Sequence, residues 1–86
     1  MALAKEITIE NPNGIHARPA SMFVQKANSF SSNIMLEKNG EDFDGKSIMS
    51  ILSLGLEYNS VIILKVDGED EQEAMDSLAP ILRGNE

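Results

Sequence analysis

The chain has 86 residues, 42% of them hydrophobic and 24% charged, a composition that suits one globular domain over residues 1–86 with a single modest core. Fourteen acidic against seven basic residues give a net charge of −7, and the lysines and arginines are scattered, so the cationic stripe of a nucleic-acid binder is missing. No cysteine and one histidine leave no basis for a disulfide, a thiolate site or a zinc site, and no metal or other cofactor is expected. Met1-Ala2-Leu3-Ala4-Lys5 lacks a signal peptide's apolar core and no run approaches a transmembrane length, so a cytoplasmic protein without stable membrane association is expected.

Leu3, Lys5, Ile7 and Ile9 alternate as the inner face of a first strand, with Lys5 breaking the pattern, and Asn11-Pro12-Asn13-Gly14 turns the chain. From Ala17 to about Ser29 the apolar positions Ala20, Phe23, Val24 and Ala27 recur at helical spacing. Ile34, Leu36 and Lys38 then alternate with Met35 and Glu37. Asn39-Gly40 is a strong hairpin signal, and it leads into a short strand from Glu41 to Asp44 with Phe43 facing in. Ser47 is a natural N-cap for a short helix carrying Ile48, Ile51, Leu52 and Leu54, which Gly55 stops. Asn59 suits a left-handed position before the strand Ser60 to Asp67, which reads as largely buried. The last helix starts near Asp70 and repeats Ala74, Met75, Leu78, Ile81 and Leu82, with Asp70, Glu71 and Glu73 at the positive end of its dipole. Pro80 inside that pattern predicts a kinked or separate last turn, because its ring cannot donate to Asp76. The order is β-α-β-β-α-β-α, an α+β chain whose helices must be buried against a mostly antiparallel sheet.

The most informative residues are His16-Ala17-Arg18-Pro19 at the start of the first helix. Gly14 can supply a positive φ, and Pro19 is tolerated in a first turn because an N–H there has no intrahelical partner. His16 is thereby placed at or next to an N-cap. Free N–H groups of Ala17 and Arg18 and the helix dipole favour an anion there, and the Arg18 guanidinium adds a fork of donors suited to phosphate. On position alone, a lone histidine at a helix start is more often a solvated or capping residue.

The block Gly14-Ile15-His16-Ala17-Arg18-Pro19-Ala20-Ser21 resembles the active-site segment of HPr, the histidine-containing phosphocarrier of the phosphoenolpyruvate-dependent sugar phosphotransferase system. Lys46-Ser47-Ile48-Met49-Ser50-Ile51-Leu52-Ser53-Leu54-Gly55 resembles the family's second signature, and Gly68-Glu69-Asp70-Glu71 its usual lead into the last helix. The resemblance implies an open-faced β-sandwich, a four-stranded antiparallel sheet with three helices on one face. It further implies that His16 takes a phosphoryl group at Nδ1 from enzyme I and passes it to enzyme IIA proteins. The protein would then be a monomeric carrier that turns over only with partner enzymes and is not itself an enzyme.

By the same resemblance Ser47 is a regulatory phosphorylation site, modified in many bacteria by a dedicated HPr kinase/phosphorylase, the product serving as corepressor partner of a transcription regulator. Without the signature, Ser47 reads as a cap. Ile48, Met49 and Leu52, together with Ala20, fall at the family's apolar docking positions around the histidine; by period Ile48 and Leu52 are core candidates, whereas Met49 lies off that face. No C-terminal group is assigned to the site, given Pro80.

Two other readings compete. Gly40-Glu41-Asp42-Phe43-Asp44-Gly45-Lys46-Ser47 matches the P-loop pattern literally, but Glu41, Asp42 and Asp44 would point negative charge at a polyphosphate, and a hairpin strand rather than a buried parallel strand precedes it. A chiefly regulatory homologue acting through Ser47, or an adaptor domain with a structural His16, are the alternatives to a carrier.

Overall fold

The computed structural model describes residues 2–84; Met1, Asn85 and Glu86 lie outside the described residues. Seven elements follow in the expected order: β1 (Ala2–Thr8), α1 (Ala17–Ala27), β2 (Asn33–Lys38), β3 (Glu41–Asp44), α2 (Ile48–Ser53), β4 (Val61–Asp67) and α3 (Glu71–Arg83). The strands form one antiparallel sheet in the order β1-β4-β2-β3, with Ile7 opposite Ile62 and Leu36 opposite Leu64. Strands with a period of two send Ile7, Ile34, Leu36, Ile62, Leu64 and Val66 to one face, where Phe23 of α1, Ile51 of α2 and Leu78 and Leu82 of α3 complete the core. Asn39 and Gly40 both have positive φ, 54° and 81°, as a tight hairpin between right-twisted strands requires.

Two expectations are corrected. β4 is half-buried rather than buried, because its residues alternate: Ile62, Leu64 and Val66 are covered while Val61 is exposed and Ile63 and Lys65 are only partly covered. The apolar run concealed this, since the open face still accepts valine and isoleucine between neighbouring strands. There Lys65 Nζ lies 2.6 Å from Glu37 Oε1 and 2.9 Å from Asp42 Oδ1, and hydrogen bonds to these two carboxylates raise its pKa. The second concerns a separate last turn at Pro80: α3 runs unbroken through that residue to Arg83. Only one N–H is lost, Asp76 is exposed so water can take its spare carbonyl, and buried Leu78, Ala79 and Leu82 hold the last turn down. Gly84, at φ 102°, closes the helix by donating to the Pro80 carbonyl at 3.0 Å.

Asp70 precedes α3 but caps nothing there. Its carboxylate accepts hydrogen bonds from the N–H groups of Ser31 (2.9 Å) and Ser32 (3.0 Å) and from the Ser32 hydroxyl, tying the α1–β2 connection to the β4–α3 connection. The Ser32 hydroxyl, followed by the backbone donors, lowers its pKa to about 2.

Candidate functional site

His16 is the N-cap residue of α1, with an extended backbone (φ −101°, ψ −162°) and an exposed side chain that makes no capping hydrogen bond. Its carbonyl accepts the first bond of the helix, from Ala20 N–H at 3.0 Å. Pro19 is the third helical residue, so the free donors of the first turn reduce to the N–H groups of Ala17 and Arg18, neither of which has a protein acceptor among the described residues. Arg18 is exposed and in no ion pair among the described residues. An imidazole, a guanidinium two residues on and two N–H groups without a protein acceptor are the donors and nucleophile that a phosphoryl group on the ring would need, and all three residues are exposed. An open groove of about 590 Å³ between α1 and α3, lined by Met22, Lys26, Pro80 and Ile81 among others, includes none of the candidate residues.

The loop holding His16 is anchored from below. Gly14 takes φ +68° as expected, Gly14 N–H closes the turn onto Asn11 O at 2.9 Å, and Ile15, buried, donates to Leu56 O at 2.9 Å. Leu56 follows α2, so the second helix ends beside the start of the first. The other end of α2 lies beside the end of α1, where the Asn28 side chain donates to Lys46 O at 3.3 Å and Lys46 Nζ donates to Phe30 O at 2.9 Å. The two helices therefore run in opposite senses, and Ser47 sits toward the end of α1 remote from His16.

Ser47 is the N-cap of α2, its hydroxyl accepting from Ser50 N–H at 3.3 Å. A six-residue helix can bury only one face, and it buries Ile51; Ile48, Met49 and Leu52 are exposed at 37%, 72% and 39%. The period-based expectation that Ile48 and Leu52 are core is thus replaced by an apolar surface of three neighbouring residues. Ala20 is the opposite correction. It is fully buried on the inner face of α1 against the sheet and offers no surface to a partner. The P-loop pattern dissolves in the same way: Gly40 is the hairpin turn, Glu41–Asp44 is a strand, and the Lys46 ammonium is spent on a backbone carbonyl.

A family model described as "PTS HPr component phosphorylation site" matches residues 3–83. The chain belongs to the HPr family. Proteins of this family are phosphocarriers rather than catalytic enzymes, and the four-stranded sheet with three helices is their fold. Two HPr-like proteins named Crh are similar to the chain: that of Halalkalibacterium halodurans, 46% identical over 74 residues covering 86% of this chain and 88% of that one, and that of Bacillus subtilis, 43% identical over 75 residues covering 87% and 88%. Among solved structures, HPr of Bacillus anthracis superposes with a TM-score of 0.88 at 40% identity, covering 93% of this chain and 95% of that one. HPr-C-His of Thermoanaerobacter tengcongensis gives 0.87 at 42% identity, covering 98% of each. A Crh structure from B. subtilis, described as a domain-swapped dimer, gives 0.77 at 40% identity over 92% and 91%. No helix among the described residues of this HPr-family chain is long and apolar enough to cross a membrane.

The contact between Gly14, Ile15 and Leu56 is not readable from the sequence. Gly14 carried a signal for positive φ; nothing in the sequence indicates which backbone it approaches.

Proposed function

We propose that this HPr-family chain is a cytoplasmic phosphocarrier of the sugar phosphotransferase system, a single domain that accepts a phosphoryl group on His16 from enzyme I and delivers it to enzyme IIA proteins. The observation that carries the reading is His16 itself, an exposed imidazole at the N-cap of α1 with no hydrogen-bond partner among the described residues, next to the N–H groups of Ala17 and Arg18, which have none there either. In transfer, the Nδ1 lone pair forms a P–N bond as the bond from phosphorus to the donor breaks. On delivery that P–N bond breaks toward the next acceptor. The Ala17 and Arg18 N–H groups and the Arg18 guanidinium receive the phosphoryl oxygens, which lowers the cost of concentrating charge at the imidazole. Ile48, Met49 and Leu52 supply the apolar surface against which partners dock.

A second reading, a chiefly regulatory homologue working through phosphorylated Ser47 with a kinase and a transcription regulator, is favoured by the two relatives named Crh. One incubation with phosphoenolpyruvate and enzyme I separates the two. A carrier acquires phosphate that acid removes and alkali does not, as on an imidazole; a purely regulatory protein acquires none. Sedimentation at micromolar concentration is expected to give a monomer, and a dimer would instead bring the chain into line with the swapped Crh structure.

A further inference from the structure

At Gly14 the site touches the α2–β4 connection more closely than any other side chain would allow. A Cβ built on Gly14 falls against the Leu56 carbonyl oxygen and 2.9 Å from Glu57 Cα, both backbone atoms that cannot swing aside. One residue on, Ile15 N–H donates to that same Leu56 carbonyl at 2.9 Å, and both side chains are buried, Ile15 at 7% exposure and Leu56 at 3%. The connection is held in turn: Asn59 N–H donates to Ile9 O and Ile9 N–H to Ser60 O, each at 2.8 Å. His16 follows Ile15 directly, and its own side chain has no hydrogen-bond partner among the described residues.

We propose that the backbone contact of Gly14 and Ile15 with Leu56 positions His16 for phosphoryl acceptance, so that the α2–β4 connection is a working part of the site. This rests on the reading of His16 as the acceptor. Gly14, Ile15 and Leu56 are positioning residues; none is placed against the phosphoryl group. A reacting imidazole must meet phosphorus in line and within near-contact distance, and a misplacement of about 1 Å costs on the order of a hundredfold in rate. A side chain at residue 14 must push the loop away from Leu56, and the imidazole moves with it.

The fold provides a matched control. Gly40 also has a positive φ, +81°, yet a Cβ there meets nothing within 4 Å. Gly40→Ala therefore carries comparable left-handed strain without a collision, in the hairpin turn between β2 and β3. Gly14→Ala adds strain and collision together. Gly14→Asn keeps the collision and eases the strain, since asparagine tolerates positive φ, and it serves where the alanine variant fails to fold.

The experiment compares wild type with these variants in two readouts. The first is the ¹⁵N and ¹H shifts of the His16 ring and of the Ala17 and Arg18 amides, which report the position of the loop whether or not transfer occurs. The second is phosphorylation rate as a function of protein concentration, with enzyme I and with phosphoramidate as a small donor. The expected result is that folded Gly14 variants shift the His16, Ala17 and Arg18 signals and lose about tenfold or more in maximal rate with both donors, at unchanged KM, while Gly40→Ala behaves as wild type. Unmoved signals with a wild-type maximal rate in a folded Gly14 variant would overturn the proposal, as would equal slowing by Gly40→Ala. A wild type that accepts phosphate from neither donor would instead count against the carrier reading, and the shift comparison would still decide whether the contact holds His16.

Discussion

Replacing Ser47 by aspartate tests how a charge at one end of α2 reaches a reaction at the other. Aspartate caps a helix as well as serine and complements the dipole, so Ser47→Asp should leave the fold and its stability essentially unchanged. Ser47→Ala, in contrast, removes the acceptor of Ser50 N–H and should cost about 0.5–1 kcal/mol, or roughly 2–8 °C in melting temperature for a domain of this size. The direct field on His16 is small. Because α1 and α2 run in opposite senses, the separation approaches the length of α1, whose 11 residues at 1.5 Å each span about 16 Å. One unit charge at that range in water is worth about 0.3 kcal/mol, and physiological salt screens over about 8 Å. Tenfold in rate needs about 1.4 kcal/mol, so the field alone cannot supply it. A charge beside Ile48, Met49 and Leu52 acts at close range on whatever docks there. The variant should therefore raise the KM of enzyme I phosphorylation by about tenfold at low salt and less at high salt, with the maximal rate and the rate with phosphoramidate unchanged. The assay is initial rate against protein concentration at two ionic strengths, with circular dichroism confirming the fold. A loss confined to the maximal rate, or one shared by phosphoramidate, would refute the docking argument; equal KM values at low salt would leave Ser47 as a helix cap alone.

His16→Ala should abolish acid-labile phosphorylation while leaving the unfolding free energy in urea within about 0.5 kcal/mol of wild type, because the side chain is exposed and has no hydrogen-bond partner among the described residues; retained labelling would move the site elsewhere. Arg18→Lys should slow transfer without eliminating acceptance, since the charge stays and the planar fork goes, and identical rates would make Arg18 an ordinary surface residue. For Asp70, the folded pKa of about 2 lies below the ordinary 3.8, so its contribution to stability is fully present above about pH 4 and lost as the pH falls through 2. Asp70→Asn should thus be less stable than wild type at pH 7 by an amount that shrinks between pH 4 and 2 in urea titrations; a gap independent of pH would disprove the carboxylate clamp on Ser31 and Ser32.

Much of this structure was legible because local chemistry and tertiary need agree. Asn39-Gly40 makes the hairpin it signals, Ser47 caps the helix it precedes, Asn59 takes the left-handed position, and His16 stands at the N-cap that Gly14 and Pro19 frame. What escaped is information carried by neighbours distant in sequence. The alternation of β4 is invisible in a run of valines and isoleucines until the sheet shows which face is covered. Pro80 reads as a breaker until the burial of Leu78, Ala79 and Leu82 outweighs one missing hydrogen bond. Asp70 looks like a dipole partner for α3 and instead reaches Ser31 and Ser32 across the fold. Ala20 sits in the active-site block of the family signature yet faces the core, because Ala20, Phe23 and Ala27 recur at helical spacing on the buried face of α1, opposite exposed Arg18, whereas the extended N-cap residue His16 stands outside that register.

Carriage of phosphate on His16 between two enzymes is put to the test by a pulse and chase. The protein is labelled with phosphoenolpyruvate and enzyme I, freed of both, and mixed with an enzyme IIA protein. Label is expected on His16, lost in acid, absent from His16→Ala, and transferred to the enzyme IIA protein. Label that survives acid on Ser47, or no label at all on a folded protein, would contradict it.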